Sequence, residues 1–140
     1  DQRVFKPLGM TRTTLDEDGS RAAVLGADGN ITMLFEDEEG KQTVDGQWSI
    51  LPPFRACACV KSTAHDMARY YQCLSNGGKL DGVQLIPEKA IELMIGAGFP
   101  EQEKAFYCLG LNKRTLDGHV LCEHSGGLHG VSSEGALLKG

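Results

Sequence analysis

Apolar and polar positions predict a helix in the middle of the chain, beginning at Ser62-Thr63. Thr63 and Asp66 have the spacing of a capping box, in which each residue satisfies a free N–H at the helix start. Asn76-Gly77-Gly78 ends the pattern, because glycine adopts the left-handed conformation of a helix C-terminus. The apolar residues between these signals recur at helical spacing, at Ala64, Met67, Ala68, Tyr71 and Leu74.

A hairpin and a second helix follow. Asp81-Gly82, between apolar positions over 79–86, is typical of a tight two-residue turn. Pro87 is suited to the first turn of a helix, and Glu88 complements the helix dipole there. The pattern predicts a helix over 87–94, with one apolar face formed by Ala90, Ile91 and Met94.

The last third predicts strands over 106–111, 119–123 and 131–138. Asp117-Gly118 marks a turn, and Gly126-Gly127 with Gly130 brackets a sharp loop. Two helices followed by an antiparallel meander indicate the α+β class.

The first half is less regular. Pro7 and Gly9 suggest the end of a helix over 1–10, and Asp28-Gly29 predicts a hairpin over 21–35. Residues 36–53 are expected to form a long loop anchored by Trp48 and Ile50. Both ends have the pattern of interrupted elements, so we expect 1–140 to be a single partial domain.

Composition excludes several classes of protein. The 140 residues are 41% hydrophobic with a net charge of −5, and no basic stripe favours nucleic acid. No run approaches the roughly 20 apolar residues of a membrane-spanning helix. The acidic clusters at 16–18 and 36–39 adjoin glycines and are interpreted as solvated turns rather than calcium loops.

Five cysteines lack the spacing of a disulfide framework or of a redox or zinc pair, and they are interpreted mainly as small buried hydrophobic residues. This use of cysteine weakly favours a reducing compartment.

The candidate chemistry lies at His124-Ser125-Gly126-Gly127. Histidine supplies a proton or a charge, and a hydroxyl supplies a hydrogen bond. A glycine lets a substrate approach the strand backbone, whose next N–H stabilises an oxyanion. Taken alone, this pattern is also that of an ordinary glycine-rich turn.

Five segments in order extend the pattern, and together they resemble the β-lactamase-related serine hydrolases. That family includes class C β-lactamases, penicillin-binding proteins such as D,D-carboxypeptidases, D-aminopeptidases and esterases. The segments are Pro7-Leu8-Gly9-Met10 with Thr13 or Thr14, Ser62-Thr63-Ala64-His65-Asp66-Met67-Ala68-Arg69-Tyr70, Leu74-Ser75-Asn76-Gly77-Gly78, Tyr107-x-Leu109-Gly110-Leu111 and His124-Ser125-Gly126-Gly127.

The resemblance implies a fragment of the β-lactamase/transpeptidase fold, with helices packed on an antiparallel sheet. It implies catalytic roles for His124 and Ser125 and substrate binding at Gly126 and Gly127, whose N–H completes an oxyanion hole. The family's Ser-x-x-Lys nucleophile and Tyr-x-Asn base are absent from this sequence, so the chain alone is expected to be inactive. Ala58-Cys59 replaces a glycine pair that is usual in the family.

A zinc site is the competing interpretation of the last third, since His119, Cys122, His124 and His129 are close in sequence. On a strand, however, His119 and Cys122 point to opposite faces, so we expect no metal and no cofactor.

Two functions remain open. The first is part of a serine hydrolase that acts on a β-lactam, a D-amino-acid peptide or an ester through an acyl-enzyme. The second is a non-catalytic module that binds cell-wall peptide, or forms a homodimer or strand swap through the exposed C-terminal strand. The resemblance implies the cell envelope or secretion, which the cysteines weakly oppose.

Overall fold

A computed structural model describes residues 2–15, 33–36, 38–45, 57–96, 98–102, 105–128 and 131–139 of the chain. Two helices, α1 (Ala64–Ser75) and α2 (Glu88–Gly96), lie between groups of short strands. The strands are β1 (Met33–Glu36), β2 (Gln42–Asp45), β3 (Lys79–Leu80), β4 (Val83–Gln84), β5 (Phe99–Gln102), β6 (Ala105–Tyr107), β7 (Asn112–Leu116), β8 (His119–Leu128) and β9 (Val131–Lys139). The α+β class expected from the sequence is therefore confirmed.

Helix α1 has the ends that its sequence predicts. The Thr63 side chain accepts a hydrogen bond from the N–H of Asp66 at 3.2 Å, as an N-cap should. At the other end, the N–H of Gly78 donates to the carbonyl of Cys73 at 2.8 Å, and Gly77 has a φ of 62°. Gly77 thus supplies the left-handed residue of a Schellman motif.

The predicted hairpin and second helix are also present. β3 and β4 pair across Asp81 and Gly82, whose φ values of 48° and 82° are those of a type I′ turn. The carbonyl of Pro87 then accepts the first helical bonds of α2, from Ala90 at 2.8 Å and Ile91 at 3.2 Å. At the C-terminal end of α2, the Nζ of Lys113 donates a hydrogen bond to the Ile95 carbonyl at 2.8 Å.

The C-terminal half forms a five-stranded antiparallel sheet in the order β5-β6-β7-β8-β9. Three strands were expected there. Strand β5 contains Pro100 and was not predicted, and the predicted strand over 106–111 ends at Tyr107. The chain turns at Gly110, with a φ of 80°, before β7 begins. A turn residue that demands positive φ divides what looked like one apolar run.

The helices cover one face of this sheet. Cys122 on β8 and Leu137 on β9 pack there against both helices in the main core, whose buried residues are Leu74, Ile91, Ile95, Leu111, Cys122 and Leu137. Leu8 and Met10 form a second cluster with Cys73 on another side of α1. Three of the cysteines are therefore buried as expected, whereas Cys57 is exposed.

The N-terminal half departs further from the prediction. Residues 2–9 form successive turns rather than the end of a helix, and Gly9 takes a φ of 63°. β2 lies inside the segment expected to be a long loop, and it pairs with β1 around an exposed turn at Glu38-Glu39-Gly40. The local pattern of 42–45 is too short to distinguish a strand from a loop.

Several predictions fall outside the described residues: the hairpin turn at Asp28-Gly29, the anchors Trp48 and Ile50, the acidic cluster at 16–18, and His129 with Gly130. Within the described ranges, neither helix has the length and hydropathy needed to cross a membrane.

Candidate active site

The four predicted site residues lie within strand β8, not in a loop. β9 pairs with them throughout, His124 with Gly135, Ser125 with Glu134, Gly126 with Ser133 and Gly127 with Ser132. The strand predicted over 119–123 therefore continues through Gly126-Gly127 to Leu128. Cross-strand pairing outweighs the local turn tendency of two glycines, because neither needs a positive φ here.

Strand geometry separates the two predicted catalytic side chains. Successive residues of a strand point to opposite faces, so His124 shares a face with Cys122, which is fully buried beneath the helices. Ser125 projects from the other face. The two side chains are both exposed and adjacent in sequence, yet they cannot meet the same group from the same side.

The second half of β8 has an open edge. Pairing between β7 and β8 runs from Leu116↔His119 to Asn112↔Glu123 and stops there. Beyond Glu123, β8 is paired with β9 alone in the part of the chain that the structure describes. An edge that no described strand occupies can take an extended ligand through backbone hydrogen bonds.

Gly126 and Gly127 differ in what a side chain at each position would meet. A Cβ on Gly127 would meet no atom within 4 Å, so the strand presents open space there. A Cβ on Gly126 would lie 2.9 Å from the hydroxyl of Ser133, which donates to the Gly126 carbonyl at 3.3 Å. Gly127 thus leaves room for a ligand, whereas Gly126 accommodates its neighbour on β9.

An aromatic ring and an ion pair adjoin His124. The Tyr107 ring stands edge-on to the imidazole, with centroids 6.5 Å apart and planes at 62°. Glu123, the preceding residue, accepts two bonds from Arg114, at 2.7 and 3.2 Å. The hydrogen bond and charge of Glu123 raise the pKa of Arg114. Glu123 is therefore engaged and is not a free base for the site.

Sequence reasoning missed Asn112, which lies between Tyr107 and Glu123 in the register of the sheet. Its Oδ1 is buried and finds no hydrogen-bond donor among the described residues. No local signal marks this position, because only the pairing of three strands brings it beside the site.

Ser62 belongs to a hydrogen-bonded cluster at the start of α1. Its hydroxyl lies 2.7 Å from that of Thr13, which donates to Asp66 at 2.8 Å. Asp66 also accepts from the N–H of Arg12 at 2.8 Å, so its carboxylate does not complete the predicted capping box. Burial alone would raise the pKa of Asp66, but the bonds from Thr13, Arg12 and His65 lower it overall. This buried cluster fastens the N-terminal segment to α1.

The described residues contain no group of three His, Cys, Asp or Glu side chains arranged to hold a metal ion.

Known proteins are similar to this chain over most of its length, and not only at the candidate site. Two proteins of Mycobacterium tuberculosis, Protein Rv1367c (strain H37Rv) and Uncharacterized protein MT1414 (strain CDC 1551), are each 29% identical over 114 residues. That alignment covers 79% of this chain but 27% of either relative. The chain therefore spans about a quarter of the length of these curated relatives.

Solved structures share the fold at low sequence identity. The octameric penicillin-binding protein homologue from Pyrococcus abyssi aligns with a TM-score of 0.70 at 19% identity, covering 90% of this chain and 27% of that one. A penicillin-binding protein from Bacillus halodurans aligns with a TM-score of 0.69 at 16% identity, and the alignment covers 98% of this chain and 39% of that one. The D-amino acid amidase from Ochrobactrum anthropi SV3 aligns with a TM-score of 0.55 at 20% identity, and the alignment covers 90% of this chain and 35% of that one. The Beta-lactamase family model matches residues 1–136, and the chain therefore belongs to the Beta-lactamase family.

Proposed function

We propose that this chain is the C-terminal part of a serine hydrolase domain and supplies the strand along which the substrate lies. The observation that carries the proposal is the open edge of β8 from His124 to Leu128, next to the open space at Gly127. An extended acyl or peptide group fits such an edge because its own backbone completes the unused hydrogen bonds.

Each site residue has a role in this proposal. A serine outside these 140 residues attacks the substrate carbonyl and forms an acyl-enzyme, which water then hydrolyses. The N–H of Gly127 donates to the oxyanion. His124 positions or protonates the reacting group, and Ser125 donates a hydrogen bond to the substrate from the other side of the strand.

The same edge supports a proposal for the substrate class. Amides, peptides and esters all present a carbonyl beside an extended chain, and the position of His124 suits any of them. The protein from Ochrobactrum anthropi is a D-amino acid amidase, which supports an amide of a D-amino acid as one substrate of the parent protein. Carboxypeptidase, esterase and β-lactamase activities belong to the same proposal, since one fold supports several acyl transfers.

The test compares hydrolysis of a chromogenic cephalosporin, a p-nitrophenyl ester and a D-alanyl peptide by this chain and by a longer parent protein. We expect turnover by the parent and none by the 140-residue chain. In the parent, His124→Ala should lower kcat/KM by about 10²-fold or more. His119→Ala is the matched control, because His119 is exposed at the distant end of the same strand.

Two outcomes would contradict the proposal. Burst hydrolysis by the 140-residue chain would mean that its nucleophile lies within these residues. Equal losses from His124→Ala and His119→Ala would remove His124 from the site.

A second function is supported by strand β9. It is the last strand of the sheet, and its outer edge has no strand partner in the described ranges. Pairing of that edge with another copy would give a self-associating module without catalysis. Light scattering over a concentration series tests this alternative: a strictly monomeric chain excludes it, and a dimer that β9 proline substitutions abolish supports it.

A further inference from the structure

Cys57 and Cys59 form a pair of thiols outside the candidate active site, one residue apart in sequence. Neither is in a disulfide, and they are the two cysteines of the chain that are not buried, since Cys57 is exposed and Cys59 is partly exposed. The thiols of Cys73, Cys108 and Cys122 are enclosed in the protein, where a dissolved reagent does not reach them. Thiol chemistry with solutes is therefore confined to residues 57 and 59.

The backbone brings the two residues close together. The chain turns at Cys57 and bends at Ala58. Even a fully extended chain would separate Cα atoms two residues apart by only about 7 Å, and a bend shortens that distance. Disulfides join Cα atoms that are about 4.4–6.8 Å apart. The bend at Ala58 therefore places residues 57 and 59 within the span of a direct bond.

Cys59 holds an unfavourable backbone conformation. Its φ of 69° lies in the left-handed region, where the Cβ of an L-residue crowds the carbonyl. The other non-glycine residues with positive φ in the described ranges are Asp81 and Asp117, each in a tight turn before a glycine. Aspartate tolerates this conformation through its short polar side chain, and cysteine has no such advantage. Backbone strain of this kind is characteristic of functional positions.

We propose that Cys57 and Cys59 are a redox-active dithiol, a modification site that exchanges with low-molecular-weight disulfides such as glutathione disulfide. The Cys57 thiolate attacks one sulfur of glutathione disulfide, forms a mixed disulfide and releases one glutathione thiolate. The Cys59 thiolate then attacks the Cys57 sulfur and releases the second glutathione. Two electrons and two protons pass from the protein thiols to glutathione disulfide, which is reduced to two molecules of glutathione.

The size of the ring determines how the site behaves. The Cys-x-Cys spacing encloses one residue fewer than the Cys-x-x-Cys of common redox pairs, so its disulfide is under more strain. A strained and exposed disulfide is readily reduced. The bond is therefore reversible, and its formation follows the ratio of glutathione disulfide to glutathione.

The fold anchors the chain where it leaves this loop. Two residues after Cys59, Lys61 exchanges both of its backbone hydrogen bonds with Thr14, each 2.9 Å long. Ala58 is already bent between the two thiols in the folded chain. An unfolded chain must first fix the backbone of Ala58, which lowers its tendency to close the ring by roughly tenfold.

The experiment measures ring closure in the 140-residue chain over a series of ratios of glutathione disulfide to glutathione. Acid quenching and alkylation of the remaining thiols trap each state, and trypsin then releases residues 56–61, a peptide with Cys57 and Cys59 as its only cysteines. Mass spectrometry distinguishes the alkylated dithiol, the glutathione adduct and the unalkylated ring. The equilibrium constant for ring closure should be about tenfold larger in the folded chain than in guanidinium chloride.

Cys59→Ser is the matched variant, because it keeps the attacking thiol and removes the one that closes the ring. It should stop at the glutathione adduct of Cys57, and failure to form that adduct would reject Cys57 as the attacking thiol.

Three results with the unmodified chain would overturn the proposal, and they do not depend on any variant folding. They are a glutathione adduct that persists without ring closure, a ring that closes no more readily in the folded chain than in the unfolded one, and a bond from Cys57 to a cysteine other than Cys59. None of these measurements involves hydrolysis, so their outcome is independent of the proposed function.

Discussion

The hydroxyl of Thr13 donates a hydrogen bond of 2.8 Å to the buried carboxylate of Asp66, across 53 positions of sequence. With the bond from the N–H of Arg12, it holds the N-terminal turn against the start of α1. A carboxylate that is 2% exposed is stable in its charged form only because these donors replace water.

Stability should therefore fall in acid. Since the folded pKa of Asp66 is lowered from 3.8, its contribution is fully present above that value and is lost as the pH falls through the folded pKa. Urea unfolding between pH 2.5 and 6 measures this. Asp66→Asn should flatten the profile below pH 4, whereas Asp117→Asn, in an exposed turn, should not.

Thr13→Val should cost about 1.5–3 kcal/mol at neutral pH, because it leaves a buried charge short of a donor. Equilibrium denaturation measures the loss. Thr11→Val is a suitable control, since Thr11 is exposed. Equal effects of the two substitutions would argue against the bond to Asp66.

Cys59→Gly should stabilise the chain. Cys59 is a non-glycine residue with a φ of 69°, which costs an L-residue roughly 1–2 kcal/mol. Glycine removes that strain and adds back about 0.5–1 kcal/mol of chain entropy, so the net gain should be below about 1 kcal/mol. Cys57→Gly has no such strain to relieve. A larger gain from Cys57→Gly than from Cys59→Gly, measured in urea, would contradict this prediction.

Gly135→Ala should destabilise the chain by about 1–3 kcal/mol, because the new methyl group overlaps Tyr71. Combining it with Tyr71→Ala should recover part of that cost, giving a coupling energy of about 0.5–3 kcal/mol in a double-mutant cycle. Gly127→Ala provides the contrast, since its methyl group meets open space and should change the free energy of unfolding little. Additive losses at 71 and 135 would mean that the two residues do not touch.

Thiol modification should distinguish the cysteines. Cys73, Cys108 and Cys122 are buried, and burial also raises the pKa of Cys73, whereas Cys57 is exposed. Iodoacetamide followed by mass spectrometry should label Cys57 in the folded chain and the three buried thiols only in denaturant. Rapid labelling of Cys122 under native conditions would mean that the sheet is not covered by the helices.

Sequence patterns predicted the elements whose causes are local. Thr63, Gly77 and the Asp81-Gly82 turn each act within a few residues, so both helices and their hairpin were found. β5 was missed because Pro100 argues against a strand, and an edge position tolerates it. β2 was missed because four residues carry too little periodicity to be recognised.

The candidate site also divides into features that the sequence predicted and features that depend on strand pairing. His124, Ser125, Gly126 and Gly127 were identified by their resemblance to a family motif, and the family itself is confirmed. Their roles remain proposals. That Gly126 and Gly127 continue a strand was not predicted, because two glycines have the same local preference for a turn whether or not β9 pairs with them.

The sequence by itself determined the helix ends and the tight turns, since these depend on the backbone preferences of single residues and on short spacings. It also indicated the family, through the resemblance of five ordered segments. Only the tertiary structure decided that Asp66 binds Thr13, that Tyr71 lies over Gly135 and that, among the described residues, β7 pairs with β8 no further than Glu123. Each of these joins residues distant in sequence, and the register of strands and the packing of α1 bring them together.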